Sequence, residues 1–437
     1  MQTKRRKQQR VALITLGCSK NWVDSEHLSA QLRAGEVEVS MAEGASDEAD
    51  VVIINTCGFI ARAKEESIDT ILAFAERRKK GELEKLYVTG CLSHRYKDEL
   101  KQEIPEVDAW FGTMELPAIL ERFSVEYRSE LLGERPLMTL PHFAYLKIAE
   151  GCSRKCAFCA IPQMRGKHRS RAMEDILSEA RRLAERGVKE LMLISQELTF
   201  YGLDRYRRRA LPDLLRKLAR VEGIEWIRLH YAYPGQFPME LLDVMADEPK
   251  ICPYLDLPLQ HISEPVLQRM KRQTSRAEIE ELVAKIREKL PGAALRTTFL
   301  TGFPGETEED VQSLLEFVKR VRFERLGVFE YSHEEGTSAY ALEDDVPPEE
   351  KTRRANLLME VQREISLEIN ESRLGQTLKV VVDRELDDWY VGRTSWDSPE
   401  VDNEVWMRKN GKVLNPGSFA DVCITDATEY DLYGDIL

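Results

Sequence analysis

The stretch Gly151-Cys-Ser-Arg-Lys-Cys-Ala-Phe-Cys159 places three cysteines close together, directly after an apolar run at 144–149 that predicts a strand. We name these three the triplet cysteines: Cys152, Cys156 and Cys159. Thiolates this close can converge on one soft-metal centre. Structural zinc would need a fourth ligand, for which His168 is the only near candidate, and plain buried thiols are a further alternative. The spacing favours a 4Fe-4S cluster held by three cysteines, which leaves one iron open to a ligand.

Three further cysteines each follow a continuous apolar run that predicts a buried parallel strand. The runs span 11–16, 51–54 and 86–89, and the cysteines after them, which we name the strand-end cysteines, are Cys18, Cys57 and Cys91. Helical patterns follow at 25–33, 61–79 and 96–103. Because the loops after parallel strands line one edge of a sheet, thiols separated by 39 and 34 residues can meet there. Buried free cysteine is common at such junctions, but the repeated arrangement favours a second open cluster.

Composition narrows the class of protein. With 43% apolar and 32% charged residues, the chain is neither disordered nor collagen-like. Eight cysteines in 437 residues are too sparse for a disulfide-stapled scaffold, and Cys252 and Cys423 fit ordinary strand positions. No apolar run approaches the roughly 18 residues of a membrane span. The basic first ten residues lack a signal-peptide cleavage site and predict a solvated tail, so we expect a cytoplasmic protein without a membrane partner.

The pattern of strands and helices predicts three domains, at 10–125, 138–372 and 375–437. The first reads as a doubly wound α/β domain. In the second, apolar runs alternate with amphipathic segments six times, which predicts a partial (β/α)6 barrel with its site at the strand carboxyl ends. Its strands are expected at 144–149, 190–195, 225–231, 254–258, 295–301 and 326–331. Its helices are expected at 173–186, 211–220, 277–290, 308–321 and, closing the domain, 348–372.

The last 62 residues change character. Short β-rich runs at 377–382, 389–394, 405–408 and 419–424 predict a small all-β barrel. Residues 376–437 hold 13 Asp and Glu against 6 Lys and Arg, a net charge of −7 out of −13 for the chain. Such a barrel would repel nucleic-acid phosphates and would suit a basic protein. We expect three of its acids to be exposed and to take part in docking: Asp397, Glu400 and Asp402.

At these residues the sequence resembles the radical S-adenosylmethionine (SAM) methylthiotransferases, over nearly the whole chain from Val11. The triplet cysteines, with Phe158 before the last of them, match the superfamily signature. The strand-end cysteines match the cluster ligands of the amino-terminal methylthiotransferase domain. The acidic barrel matches the carboxyl-terminal TRAM domain in position and in Gly392-Arg-Thr394 and Asp397-Ser-Pro-Glu-Val-Asp-Asn-Glu404.

Local motifs resemble the RimO type of this family, which modifies a ribosomal protein, more than the MiaB type, which modifies tRNA. They include Asn55-Thr-Cys-Gly-Phe-Ile60, Ile161-Pro-Gln-Met-Arg-Gly166, Pro258-Leu-Gln-His-Ile-Ser263 and Thr298-Phe-Leu-Thr-Gly-Phe-Pro-Gly-Glu-Thr307. The resemblance implies addition of a methylthio group to the β-carbon of an aspartate in small-subunit ribosomal protein twelve, free or in the ribosome. A tRNA adenosine methylthiotransferase and a non-catalytic iron–sulfur scaffold are the alternatives.

The same resemblance implies two 4Fe-4S clusters and SAM as cofactors, with an electron donor and a sulfur donor as further partners. The cluster on the triplet cysteines would bind SAM and cleave it reductively, to give the radical that abstracts hydrogen from the aspartate. The cluster on the strand-end cysteines would hold the sulfur that attacks this carbon. A second SAM would supply the methyl group.

Other candidate site residues lie beside the triplet or at the ends of predicted strands. Four are candidates for SAM binding, with structural polar or packing roles as the alternative: Phe158, Gln196, Gln260 and Thr301. Arg165 is a candidate for a bidentate bond to the substrate carboxylate, whereas Arg169 is expected at the solvated surface. His230 and His261 fit core or rim positions and are given no catalytic role.

Overall fold

The computed structural model describes residues 9–41 and 48–437, so most of the expected basic tail lies outside the described residues. Contacts divide the chain into two units. The amino-terminal unit contains the chain up to Thr139, together with Glu150–Ser153 and Ala160–Lys167. The carboxyl-terminal unit contains Leu140–Ala149, Arg154–Cys159 and His168–Leu437. The three domain ranges expected from the sequence stay a prediction beside this division.

The amino-terminal unit is built on a five-stranded parallel sheet with the order β2-β1-β3-β4-β5. Its strands are β1 (Arg10–Thr15), β2 (Glu38–Ser40), β3 (Val51–Thr56), β4 (Lys85–Gly90) and β5 (Ala109–Trp110). Its helices are α1 (Ser19–Ala34), α2 (Ala61–Lys79), α3 (Cys91–Glu103), α4 (Leu116–Glu121) and α5 (Ile161–Arg165), with a 3-10 turn at Ser129–Gly133. The sheet changes its winding direction between β1 and β3, and ligands of such sheets bind at that point.

Alternate residues of the central strands pack against helices on opposite faces of this sheet. Val52 and Ile54 of β3 share a core with Ile71 of α2, whereas Ile53 shares another with Leu28 of α1. The predicted doubly wound arrangement is therefore confirmed. Strands β2 and β5 escaped prediction because they have only three and two residues.

Two helices of this unit begin earlier than the apolar pattern indicated, at 19 rather than 25 and at 91 rather than 96. The start of α1 is hidden because polar side chains, among them Asn21, Ser25 and Glu26, occupy its buried face. Helix α3 is kinked at Tyr96 (φ −122°, ψ 25°), and only the part beyond the kink was predicted. In consequence, two strand-end cysteines stand at helix amino-termini: Cys18 and Cys91.

The carboxyl-terminal unit contains a second parallel sheet whose six strands are neighbours in chain order. They are β6 (Phe143–Lys147), β9 (Glu190–Ile194), β10 (Trp226–Leu229), β11 (Ile251–Asp256), β12 (Ala294–Thr301) and β13 (Arg325–Glu330). Two two-residue strands lie outside this sheet: β7 (Ala149–Glu150), whose residues are divided between the two units, and β8 (Arg169–Ser170). The helices are α6 (Met173–Glu185), α7 (Leu211–Leu218), α8 (Glu240–Asp247), α9 (Glu264–Arg269), α10 (Arg276–Lys289), α11 (Glu308–Val321) and α12 (Pro348–Glu371), with 3-10 turns at Leu198–Phe200 and Ser338–Ala341. The predicted partial (β/α)6 barrel is confirmed; the short α8 and α9, the two-residue strands β7 and β8 and the 3-10 turns were not predicted.

The chain ends in a closed five-stranded barrel, which confirms the predicted small all-β barrel. Its strands are β14 (Thr377–Leu386), β15 (Trp389–Thr394), β16 (Val405–Arg408), β17 (Phe419–Ala427) and β18 (Leu432–Ile436). The last strand was not predicted, because it is short and contains Gly434. That glycine is required, since a Cβ there would lie 2.5 Å from the carbonyl oxygen of Cys423 in β17.

The small barrel packs on the six-stranded sheet through buried ion pairs. Arg393 of β15 pairs with Glu190 of β9 (2.9 Å), and Arg325 of β13 donates to Asp397 (Nε to Oδ1, 3.0 Å). The Tyr254 hydroxyl donates to Asp402 (2.7 Å). Both carboxylates are buried in this contact, with 2% of the Asp397 side chain and 1% of the Asp402 side chain exposed. The expectation that Asp397 and Asp402 are exposed docking acids is therefore wrong. Glu400 is exposed, as expected.

Candidate functional site

The three strand-end cysteines come together at one edge of the amino-terminal sheet. Thr15, Asn55 and Thr89 are in register across β1, β3 and β4, so the chain leaves all three strands at one level. Cys18, which is exposed, precedes α1; Cys57 and Cys91 are buried. Negative charge on the other two sulfurs adds to the burial that raises the pKa of Cys91.

Glycines allow these loops to approach so closely. Gly17 has φ +85°, and a Cβ on it would lie 2.6 Å from the Cβ and 2.8 Å from the Sγ of Cys57. Gly90 has φ +101°, and a Cβ on it would overlap the carbonyl oxygen of Thr56. Both positions therefore exclude any other residue without a shift of the neighbouring loop.

A buried polar network fixes the positions of the loops. The Asn21 side-chain amide donates to the carbonyl oxygens of Leu16 (2.8 Å) and Thr56 (3.0 Å), one on each side of the crevice. The Asn55 amide donates to the Asn21 carbonyl (3.0 Å). The Ser67 hydroxyl donates to the carbonyl of Cys57 (2.8 Å) and accepts from its N–H (3.1 Å). Sequence reasoning missed both residues, because Asn21 precedes the helix expected at 25–33 and no pattern singled out Ser67 within 61–79.

Arg165 enters this site from α5 and is almost fully buried, with 3% of its side chain exposed. Its Nε donates to the Sγ of Cys91 (3.4 Å), and its guanidinium pairs with Asp24 (2.7 Å) and Glu150 (3.2 Å). It also donates to the side chain of Asn21. The residue expected to bind a substrate carboxylate thus has two carboxylate partners within the chain.

Burial and charge act in opposite directions on these groups. Burial raises the pKa of the Cys91 thiol to about 11, and the positive charge of Arg165 opposes that rise. Burial alone would lower the pKa of Arg165, but Glu150 and Asp24 outweigh it and raise that pKa well above its usual value. The cation beside this sulfur favours the thiolate, as does the helix amino-terminus, but burial outweighs Arg165, so the pKa of Cys91 stays above its ordinary value.

The triplet cysteines are distributed over both units. In the amino-terminal unit, Cys152 is buried and its N–H donates to the carbonyl of Gly166 (3.0 Å). In the carboxyl-terminal unit, Cys156 and Cys159 are partly exposed. There Arg272 donates to the Sγ of Cys156 (3.4 Å). Each set of cysteines therefore includes one sulfur that accepts a hydrogen bond from an arginine.

Arg154, inside the triplet motif, is a site residue that sequence reasoning did not identify. Its guanidinium lies between the rings of Phe200 and Tyr233, 3.9 Å from each ring centroid. It donates to the carboxylate of Glu197 (2.8 Å). A charged residue in a loop normally indicates solvent exposure, yet this one is 5% exposed and anchors the motif to the end of β9.

The candidates for SAM binding occupy varied environments, and their role stays a prediction. Phe158 packs edge-on against Phe303, with ring centroids 6.5 Å apart. Gln196 follows β9 and is partly buried. Gln260 bridges to β12 through its backbone and has φ +74°. Thr301 is fully buried, and its hydroxyl donates to the carbonyl of Lys351 (3.3 Å).

The polar residues outside these candidates behave largely as expected. Arg169 is exposed. His230 lies 3.8 Å from Asp256 and His261 lies 3.4 Å from Glu306, and both rings are buried. Two further groups occupy structural positions, namely His168, which contacts Ser170, and the strand residues Cys252 and Cys423.

The donor set of the strand-end site suits an iron–sulfur cluster better than a single ion. Within residues 9–41 and 48–437, no group of three His, Cys, Asp or Glu side chains is arranged to hold a metal ion. A cluster makes a different demand, because each thiolate binds its own iron. The strand-end site fits that demand. It has three thiols at one sheet edge, an arginine that contacts one sulfur, and loops held in place by hydrogen bonds from buried amides.

Family models match all three parts of the chain. The Radical SAM superfamily matches residues 146–318, the uncharacterized protein family UPF0004 matches 10–112, and the TRAM domain matches 374–437. Across the described part of the chain, none of the helices is sufficiently long and apolar for a membrane crossing.

Solved structures share the fold. The radical SAM methyltransferase TsrM from Kitasatospora setae aligns with a TM-score of 0.54 at 15% identity, over 73% of this chain and 72% of that one. The cobalamin-dependent radical SAM enzyme OxsB aligns with a TM-score of 0.51 at 14% identity, over 80% of this chain and 56% of that one. At these identities the likeness concerns the fold alone.

Full-length relatives are much closer in sequence. The ribosomal protein uS12 methylthiotransferase RimO of Cytophaga hutchinsonii is 53% identical over 437 residues, all of both chains. The protein of the same name from Bacteroides thetaiotaomicron is 49% identical over 432 residues, 99% of each chain. The chain described above therefore belongs to the RimO family of radical SAM methylthiotransferases.

Proposed function

We propose that this chain transfers a methylthio group to the β-carbon of an aspartate in ribosomal protein uS12. The observation that carries the proposal is a second three-cysteine site, built into the sheet edge of the amino-terminal unit in addition to the triplet. A radical SAM enzyme that only cleaves SAM needs the triplet alone. A preorganised second site supplies a place for sulfur, which the attached group requires.

Each site has its own cofactor chemistry. The triplet cysteines would hold a 4Fe-4S cluster, which with SAM would supply the radical needed to activate an unreactive carbon–hydrogen bond. The strand-end cysteines would hold a second 4Fe-4S cluster, which would carry the sulfur. The chain itself contributes three thiolates to each cluster and an arginine against one sulfur of each set.

The partner is a basic protein, and the acidic TRAM barrel suits it. After the buried acids are set aside, the barrel still exposes Asp387, Asp388, Asp421 and Asp426. These carboxylates attract a polycation and repel tRNA, which argues against the tRNA alternative. An electron donor and a sulfur donor complete the set of partners, and the reaction takes place in the cytoplasm, where ribosomal proteins are assembled.

Mass spectrometry tests the function directly. A strain that lacks this gene should produce uS12 lighter by one methylthio group, and the plasmid-borne gene should restore the mass. The methylthioadenosine content of tRNA from the same cells is the control and should not change. An unchanged uS12 mass with a loss of methylthioadenosine would assign the chain to the tRNA alternative.

A further inference from the structure

Arg165 has an arrangement of partners that structural stability alone does not require. The residue is the last of the short helix α5, and only 3% of its side chain is exposed. The Nη1 of the guanidinium meets both Asp24 (2.7 Å) and Glu150 (3.2 Å). The remaining Nε–H points to the Sγ of Cys91 (3.4 Å).

Two carboxylates hold this guanidinium more firmly than neutralisation demands. A buried arginine needs one carboxylate to balance its charge, and an unpaired buried charge is costly. Here the two acids and the amide oxygen of Asn21 together fix the planar fork, so that its orientation is determined. In this orientation the Nε–H of Arg165 points to the sulfur of Cys91 rather than to another oxygen.

Arg165 lies close in sequence to the triplet cysteines. It stands six residues after Cys159, the last of the triplet cysteines, and the segment Ala160–Lys167 belongs to the amino-terminal unit. The same α5 segment packs on Cys91 through Met164 and Ala160. The chain therefore runs directly from the triplet motif into the strand-end site.

We propose that Arg165 is a positioning residue that sets the reduction potential of the cluster held by the strand-end cysteines. This inference rests on the proposed function, because it requires that cluster. An N–H donated to a ligating sulfur and a fixed positive charge both stabilise the more negative, reduced form of a cluster. Arg165 supplies both at Cys91, and Asp24 and Glu150 hold it there.

The test is a redox titration followed by electron paramagnetic resonance. It uses the full-length chain with the three triplet cysteines changed to Ala, so that only the strand-end cluster contributes to the signal. In this background, Arg165→Met should shift the midpoint potential to a lower value, with about four irons still bound. Arg165→Lys, which keeps the charge and loses the rigid fork, should shift it in the same direction by less.

Arg135→Met is the matched control. Arg135 is fully buried in the same unit and pairs with Glu26, so its replacement also leaves a buried carboxylate without its cation. Its midpoint potential should stay at the parent value. Should Arg165→Met bind no iron, Arg165→Lys decides: a lowered midpoint potential supports the inference, and a parent-like potential overturns it.

Equal potentials in the parent and both Arg165 variants would overturn the inference, as would an equal shift in Arg135→Met. Neither result bears on the proposed function, which the mass of uS12 decides in the intact enzyme. Conversely, unmodified uS12 with a shifted potential would remove the function and leave the role of Arg165 at the cluster.

Discussion

At the scale of single residues, the strand-end site depends on small polar side chains as much as on its cysteines. The amide of Asn21 joins the loop after β1 to the loop after β3, and its oxygen accepts from Arg165. None of this follows from apolar periodicity, because Asn21 precedes the helix expected at 25–33. The two sets of cysteines were predictable. The triplet follows from its spacing, and the strand-end set follows from its place after parallel strands, whose carboxyl ends share one edge of a sheet.

Asn21→Ala should destabilise the amino-terminal unit. The change removes the side-chain donor to the half-buried carbonyl of Leu16 and the buried carbonyl of Thr56, which should lower the free energy of unfolding by about 2 kcal/mol. Hydrogen exchange of the β3 amides in the apoprotein measures this loss. Gln312→Ala, which removes an amide exposed on α11, should stay within about 0.5 kcal/mol of the parent. Equal protection in both variants would contradict the role given to Asn21.

At the scale of elements, the junctions between strands and helices carry the site. Helix α1 starts one residue after Cys18, and α3 starts at Cys91, so the cysteines stand where helix dipoles favour a negative charge. The sequence predicted both strands but placed both helices too late. Buried polar residues on α1 and the kink at Tyr96 obscure the helical period in these two turns.

Gly90→Ala should prevent the strand-end site from forming. Gly90 has a φ of +101°, and the new Cβ would overlap the Thr56 carbonyl oxygen. The carboxyl ends of β3 and β4 would therefore have to move apart. Iron per chain should fall from about eight to about four. Gly81→Ala is the matched control: its φ is +78° and nothing lies within 4 Å of the new Cβ, so it carries backbone strain alone. Full iron content in Gly90→Ala would disprove the tight junction.

At the scale of the whole molecule, the small barrel and the six-stranded sheet are joined by buried charges. Arg228 and Arg393 share Glu190, and Arg296 joins Asp256 of β11 to Asp402 of the barrel. The fold class and the small barrel were predictable because apolar patterns report them. The contact was not, since charged residues in a sequence are normally read as solvated surface.

This contact should respond to acid. Burial raises the pKa of Asp256, but Arg296 and His230 outweigh it and lower the pKa to about 2. A carboxyl group whose folded pKa is depressed stabilises the fold above its unfolded pKa of about 3.9. That contribution should be lost as the pH falls from about 4 to about 2. In Asp256→Asn, the thermal unfolding midpoint should depend less on pH over this range and should be lower at pH 7. The control is Asp421→Asn, which changes an exposed acid; an equal pH dependence in the two variants would refute the assignment.

Docking of the basic partner should depend on the exposed acids of the barrel. Asp387, Asp421 and Asp426 changed together to Lys should slow association with uS12 and flatten its salt dependence, because steering acts over a Debye length of about 8 Å. Stopped-flow binding across a salt series measures both effects. SAM cleavage without substrate is the control and should persist. Parent-like rates at every salt concentration would leave the barrel without a docking role.

The most direct test of the central claim compares Cys57→Ala with Cys156→Ala in the anaerobically reconstituted enzyme, by scoring deoxyadenosine release and the mass of uS12 in the same reaction. If the strand-end cysteines hold a cluster for sulfur, Cys57→Ala retains about half of the iron, cleaves SAM and leaves uS12 unmodified. Cys156→Ala retains a similar amount of iron and releases no deoxyadenosine. Methylthiolated uS12 from Cys57→Ala, or an equal loss of SAM cleavage in both variants, would contradict the two-site account.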